Sequence, residues 1–198
     1  MRRTSPAATA AFLGELCGKG GTDKMMRFME GKGTGAIPYA PPFLKAGKLV
    51  IGQSANILLY LGARHGLAPK AEPGRLWVHQ LQLTIADFVK EIHDTHHPIA
   101  SALYYDDQKA ESKRYTEHFL KERAPKYLGY CERVIGKSGG PFLTGRKLAY
   151  ADLSLFQIVS GLRYAFPAAM KRIDAKVPRS VEVHDRVIAR PNIGRYLN

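Results

Sequence analysis

The residues Ala40-Pro41-Pro42-Phe43-Leu44, followed by Leu49-Val50-Ile51-Gly52-Gln53-Ser54-Ala55-Asn56-Ile57-Leu58, leave the chain few folds to choose from. Proline fixes φ and carries no N–H, so the pair opens an ordered segment rather than continuing one. Two short apolar runs flank Lys45-Ala46-Gly47-Lys48, the pattern of a β-hairpin closed by a glycine-containing turn. A polar start at Gln53 or Ser54, with Ile57, Leu58 and Leu61 on one side, predicts a helix directly after the second strand. A prolyl bend beside the positive end of a helix suits capture of a small anion by main-chain groups.

The flanking sequence divides on either side of this stretch. Pro6 to Cys17 reads as an Ala-rich helix capped by Ser5 and ended by Gly18, Gly20 and Gly21. Lys24-Met25-Met26-Arg27-Phe28-Met29 reads as a short edge strand, and Gly31, Gly33 and Gly35 as a loop leading to Pro38. Beyond the hairpin the helix runs to His65, where Gly66 ends it, and the Pro- and Gly-rich Ala68 to Gly74 reads as a linker. Everything further reads as helical. Trp77, Leu81, Ile85, Phe88 and Ile92 form one stripe of a helix over 75–92, and a second long helix from Lys109 to Ile135 is bent by Pro125. Tyr150 to Leu162 is apolar on nearly all sides, which predicts the buried central helix of a bundle. Arg179 to Ala189 is a last short helix, with Ile193, Tyr196 and Leu197 as a packing tail. The expected domains are therefore 1–68, a linker at 69–75 and an all-helical 76–198.

Charge and composition exclude some functions. The formal net charge is +13, which favours anionic partners, but the basic residues are scattered and form no recognition helix, so the charge does not make nucleic acid the expected partner. No uninterrupted apolar run has the length of a membrane span, and no membrane partner is expected. The first ten residues are basic and free of acids, yet Phe12 to Leu16 is too short and polar for a secretory core; the expectation is a cytoplasmic protein. Cys17 and Cys131 lack the spacing of a disulfide scaffold or zinc knuckle and read as reduced buried residues. The run Gly31 to Gly35 lacks the ending of a phosphate-binding loop. His93 and His97 share a helix face, but no glutamate completes a His-Glu-x-x-His pattern and Pro98 follows, so the cluster reads as a polar patch at a bend and no metal is expected.

Three stretches in order, Pro41-Pro42-Phe43-Leu44, Gly52 to Leu61, and Tyr150-Ala151-Asp152-Leu153-Ser154-Leu155-Phe156, together with the linker, resemble the glutathione transferase family over 36–197. The resemblance implies an α/β thioredoxin-like domain, atypical at its N-terminus, followed by an all-α bundle domain. It implies that Pro42 is a cis-proline, that the backbone at Pro41 pairs with the cysteinyl part of glutathione, and that Gln53 and Ser54 hold the γ-glutamyl carboxylate. Asp152 is similar to the family's buried capping aspartate, although Ala149 stands where a reciprocating Ser or Thr is usual.

In this family a Tyr, Ser or Cys ahead of the first helix donates to the glutathione sulfur and stabilises the thiolate. If Ser5 to Gly18 is that helix, only Met1 to Thr4 remain for the first strand and catalytic loop. The sequence then identifies no catalytic residue; Thr4 and Ser5 are the candidates, and a truncated or recast N-terminus is expected. Tyr104, Tyr105, Arg163, Tyr164 and Phe166 are candidates for the electrophile pocket, with Asp87 a further candidate to meet the glutathione amino group. The resemblance implies a homodimeric enzyme that uses glutathione as co-substrate against a hydrophobic electrophile or a peroxide. The competing reading is a noncatalytic ligand-binding or protein-interaction module built on the same fold.

Overall fold

The computed structural model describes residues 21–33 and 35–197. The chain folds into two compact units that divide between Ile57 and Leu58. The expected helix 6–17, its cap Ser5, Thr4 and Cys17 lie outside the described residues.

The first unit contains helix α1 (Gly21–Met29) and the hairpin β1 (Phe43–Ala46) and β2 (Leu49–Gly52). The expected edge strand at Lys24 to Met29 is thus helical. Met25 is buried, Phe28 and Met29 follow at helical spacing, and Asp23 complements the positive end of the helix; six apolar-rich residues were too few to separate the two periods. The Phe28 ring lies 5.7 Å from Phe43, packing α1 against the hairpin. The strands pair antiparallel from Phe43 opposite Gly52 to Ala46 opposite Leu49, leaving Gly47 and Lys48 as a two-residue turn. Gly47 has φ +62°, a backbone region the tight turn requires and a side chain would resist. Helix α2 (Ser54–Arg64) follows β2 and spans the division between the units.

In the second unit α3 (Glu72–Asp94) begins inside the stretch expected as linker, with Pro73 in its first turn, where a missing N–H costs no hydrogen bond. Leu58, Leu67 and Ala68 pack on the helical core, which is why the boundary between the units falls ahead of 69–75. A 3₁₀ turn (Tyr105–Gln108) leads into α4 (Lys109–His118), a π-wound turn (Phe119–Arg123) and α5 (Ala124–Lys137). The bend expected at Pro125 takes the form of that π turn: Pro125 cannot donate back, and the wider winding lets Ala124 N bond Phe119 O. Helices α6 (Tyr150–Ala165), α7 (Pro167–Asp174), α8 (Pro178–Ile188) and α9 (Pro191–Leu197) complete the unit. The tail expected at Ile193 to Leu197 is helical, and α7 had no counterpart in the sequence reading.

The core gathers on α6, whose Leu155, Phe156, Ile158, Val159 and Leu162 are buried among side chains of α3, α5 and α8. Asp152 is fully buried at its start, accepting from Leu143 N and Ala149 N at 2.8 Å each. The bond from Ala149 N to the Asp152 carboxylate is one half of a capping box, formed without a Ser or Thr at the cap to return it. Gly62 of α2 lies against Tyr150; a Cβ there would stand 2.4 Å from the ring.

Candidate functional site

The hairpin and α2 together shape a cavity. Residues 36–42, Val50, Gly52, Gln53 and Ser54 line a volume of about 510 Å³. Pro38 is buried and braces Gly52, where a Cβ would meet it in ordinary contact at 3.8 Å. Pro41, Pro42, Gln53 and Ser54 are all exposed to this space, and the Pro41–Pro42 peptide bond is cis. Gln53 has φ +66°, and among the described residues it is the one non-glycine residue with positive φ. This conformation is uncommon for a non-glycine residue, and such residues cluster at ligand-binding and active-site positions. Ile57 N bonds Gln53 O at 2.9 Å, so α2 starts at this residue. The amides of the next turn have no intrahelical partner, and the helix dipole adds positive potential there. The chemistry on offer is a carboxylate site at a helix N-terminus, beside backbone groups flanking two prolines.

A second concentration of functional chemistry follows α3. Thr95 is buried; its Oγ1 donates to Ile92 O at 2.6 Å and stands 2.8 Å from His96 Nδ1, while its carbonyl accepts from Ser112 and Thr116 hydroxyls. Gln108, with no exposed surface, fixes the loop that follows. Its Oε1 accepts from Ile99 N at 3.0 Å, and its Nε2 donates to Ala100 O at 3.1 Å and Leu103 O at 3.2 Å, with His97 Nδ1 at 3.3 Å. His96 thereby sits 6.0 Å from the Tyr105 ring and 6.2 Å from Phe166, which in turn meets Phe119 of the π turn. Burial, with His97 and His93 nearby, holds the His96 imidazole below its usual range, so it is neutral near pH 7.

Of the five expected pocket residues, the structure brings Tyr105 and Phe166 to this aromatic cluster. Tyr104 is 79% and Tyr164 90% exposed, and Arg163 is engaged elsewhere, its Nε on Asp174 at 2.9 Å and Nη1 3.2 Å from His184 Nδ1. The sequence marked the run His93 to His97, with His96 in it, as a polar patch at a bend, but not Gln108 as the residue that fixes the loop; a lone glutamine carries no pattern that marks it as buried. His93 and His97 stack at 5.0 Å, and among the described residues no three His, Cys, Asp or Glu side chains converge on a metal position. Asp87 is exposed on α3. No helix among the described residues is long and apolar enough to cross a membrane.

Comparison with known proteins follows the same lines. The family model described as "Glutathione S-transferase, C-terminal domain" matches residues 93–198. The chain is 23% identical over 177 residues to a glutathione S-transferase of Plasmodium yoelii yoelii, covering 88% of this chain and 76% of the relative. It is 28% identical over 159 residues to glutathione S-transferase P 1 of Xenopus laevis, covering 79% and 66%. Among solved structures, the pi-class glutathione S-transferase of Onchocerca volvulus superposes with a TM-score of 0.64 at 21% identity, over 79% of this chain and 69% of that one. The chain therefore spans two thirds to three quarters of the length of these relatives. The structural likeness bears out the expected fold class, a thioredoxin-like α/β domain followed by an all-helical one.

Proposed function

Because the chain belongs to the glutathione S-transferase family, we propose that it is a glutathione transferase, adding the glutathione thiolate to a hydrophobic electrophile or reducing a peroxide. The cavity lined by Pro41, Pro42, Gln53 and Ser54 is the observation that carries this reading, because it joins a helix N-terminus to exposed polar side chains in a volume suited to a tripeptide. The γ-glutamyl carboxylate accepts hydrogen bonds from Gln53, Ser54 and the first amides of α2, and the cysteinyl backbone lies along Pro41. This orients the thiol, whose proton leaves to solvent, with Thr4 or Ser5 proposed as the hydroxyl that donates to the resulting thiolate. The thiolate then gives its electron pair to the electrophilic carbon as the leaving group departs with the displaced pair. Tyr104, Tyr105, Arg163, Tyr164 and Phe166 remain the proposed electrophile surface, of which the cluster at Tyr105 and Phe166 is the best supported.

The proposal extends to a cytoplasmic, detoxifying homodimer. Leu76 and Leu83 support the dimer: they are 63% and 49% exposed on the side of α3 opposite Leu81, Ile85 and Phe88, an apolar pair without a partner in the described chain.

The test is formation of the thioether from glutathione and an aromatic chloride. The expected rate saturates with glutathione, and the Gln53→Ala/Ser54→Ala double variant raises the glutathione KM by about tenfold or more. A rate no higher than without protein would overturn the catalytic reading in favour of the ligand-binding module.

A further inference from the structure

Helices α3 and α5 enclose a separate pocket of about 360 Å³, far down the sequence from the hairpin cavity and sharing no residue with it. Leu143, nearly fully buried, forms part of its floor, and Trp77 and Tyr130 supply aromatic surface. Trp77 is 37% exposed, so part of the indole is open to a ligand. Ser138 also lines the pocket, but its hydroxyl is engaged locally, with Phe142 O at 2.8 Å and Ile135 O of α5 at 2.9 Å. Polar recognition therefore falls to Arg133 and Lys137, four residues apart on one face of α5. Among the described residues neither has a carboxylate partner, whereas Arg123, Arg163, Arg179 and Arg186 each hold one. Their place in the last turns of α5 suits the helix dipole, but the dipole calls for no aromatic wall beside them.

We propose that this pocket is a second small-molecule site, taking a planar aromatic group that carries a phosphate, the chemistry of a nucleoside monophosphate. The base stacks on Trp77, worth more with an aromatic ring than with an aliphatic group of equal size. The phosphate sits between a guanidinium fork and an ammonium, whose two charges match a dianion. The volume lies within the range of small-ligand pockets, and the +13 net charge raises the local concentration of such anions.

Trp77 is the only tryptophan in the chain, so its fluorescence reports this pocket directly. The experiment titrates the full chain with adenosine monophosphate, with adenosine in parallel. Saturable quenching is expected, about tenfold or more weaker for adenosine and for an Arg133→Gln/Lys137→Gln variant, and unchanged by saturating glutathione. No saturation by about 10 mM ligand would overturn the site. Equal affinity in the double variant, with its thermal midpoint unchanged, would overturn the phosphate assignment, and displacement by glutathione would place the nucleotide in the hairpin cavity instead.

Discussion

Gln108 shows how much one side chain can fix. Replacing it with leucine keeps the volume but leaves Ile99 N without its partner, while Ala100 O keeps Leu103 N and Leu103 O keeps His97 Nδ1. The expected cost is about 1–3 kcal/mol of stability, with a raised KM for the electrophile and an unchanged KM for glutathione under the proposed function, because the loop carries the aromatic cluster and not the hairpin cavity. Steady-state kinetics with each substrate varied separately checks this. Asp152 titrates in an unusual direction. Burial pushes its carboxyl up to about 6, with the two amide hydrogen bonds pulling the other way. A folded value above the unfolded one means the native state binds the extra proton, so this group's contribution to stability is complete below about pH 4 and is lost, by up to about 3 kcal/mol, as pH rises through about 6. Denaturant unfolding across that window should show the fall superimposed on the titration of other groups, and Asp152→Asn should remove it. Asp152 was legible as a buried cap through the resemblance of the Tyr150 to Phe156 stretch to the family. The positive φ of Gln53 was not, since the sequence shows only a polar residue where a helix begins.

At the scale of elements, close packing decides what local preference does not. Gly62→Ala improves helix propensity by about 1 kcal/mol, yet its Cβ would stand 2.4 Å from the Tyr150 ring. The clash should win, lowering stability by about 1–3 kcal/mol in thermal unfolding. Glu132 of α5 acts across elements: its carboxylate accepts from Arg179 N at 3.1 Å and Ser180 N at 3.0 Å, capping α8 from outside. Glu132→Ala should therefore cost about 1–2 kcal/mol. Long apolar stripes made α3 and α6 readable, because fifteen or more residues separate a 3.6 period from a period of two. Lys24 to Met29 offered too few residues for that test, and the short helix α7 offered only a brief pattern between Pro167 and Pro178. The π turn was readable only as a disturbance at Pro125, since the form a bend takes depends on the carbonyls the ring displaces.

For the whole molecule, composition described the surface and the motifs described the fold. The scattered basic residues left the partner open, while the order of prolyl hairpin, polar helix start and aspartate-capped apolar helix was enough to indicate both domains. The proposed homodimer, with the exposed Leu76 and Leu83 meeting across its two-fold axis, predicts that Leu83→Glu shifts the protein from dimer to monomer in sedimentation experiments, with its helical content retained. The proposed function has glutathione bound in the cavity at Pro41, Pro42, Gln53 and Ser54, and calorimetric titration of the chain with glutathione measures that binding without any requirement for turnover. Saturable heat for the wild-type chain, lost in Gln53→Ala/Ser54→Ala, is the predicted result; no heat from the wild-type chain at millimolar ligand, or equal heat from the double variant, would contradict it.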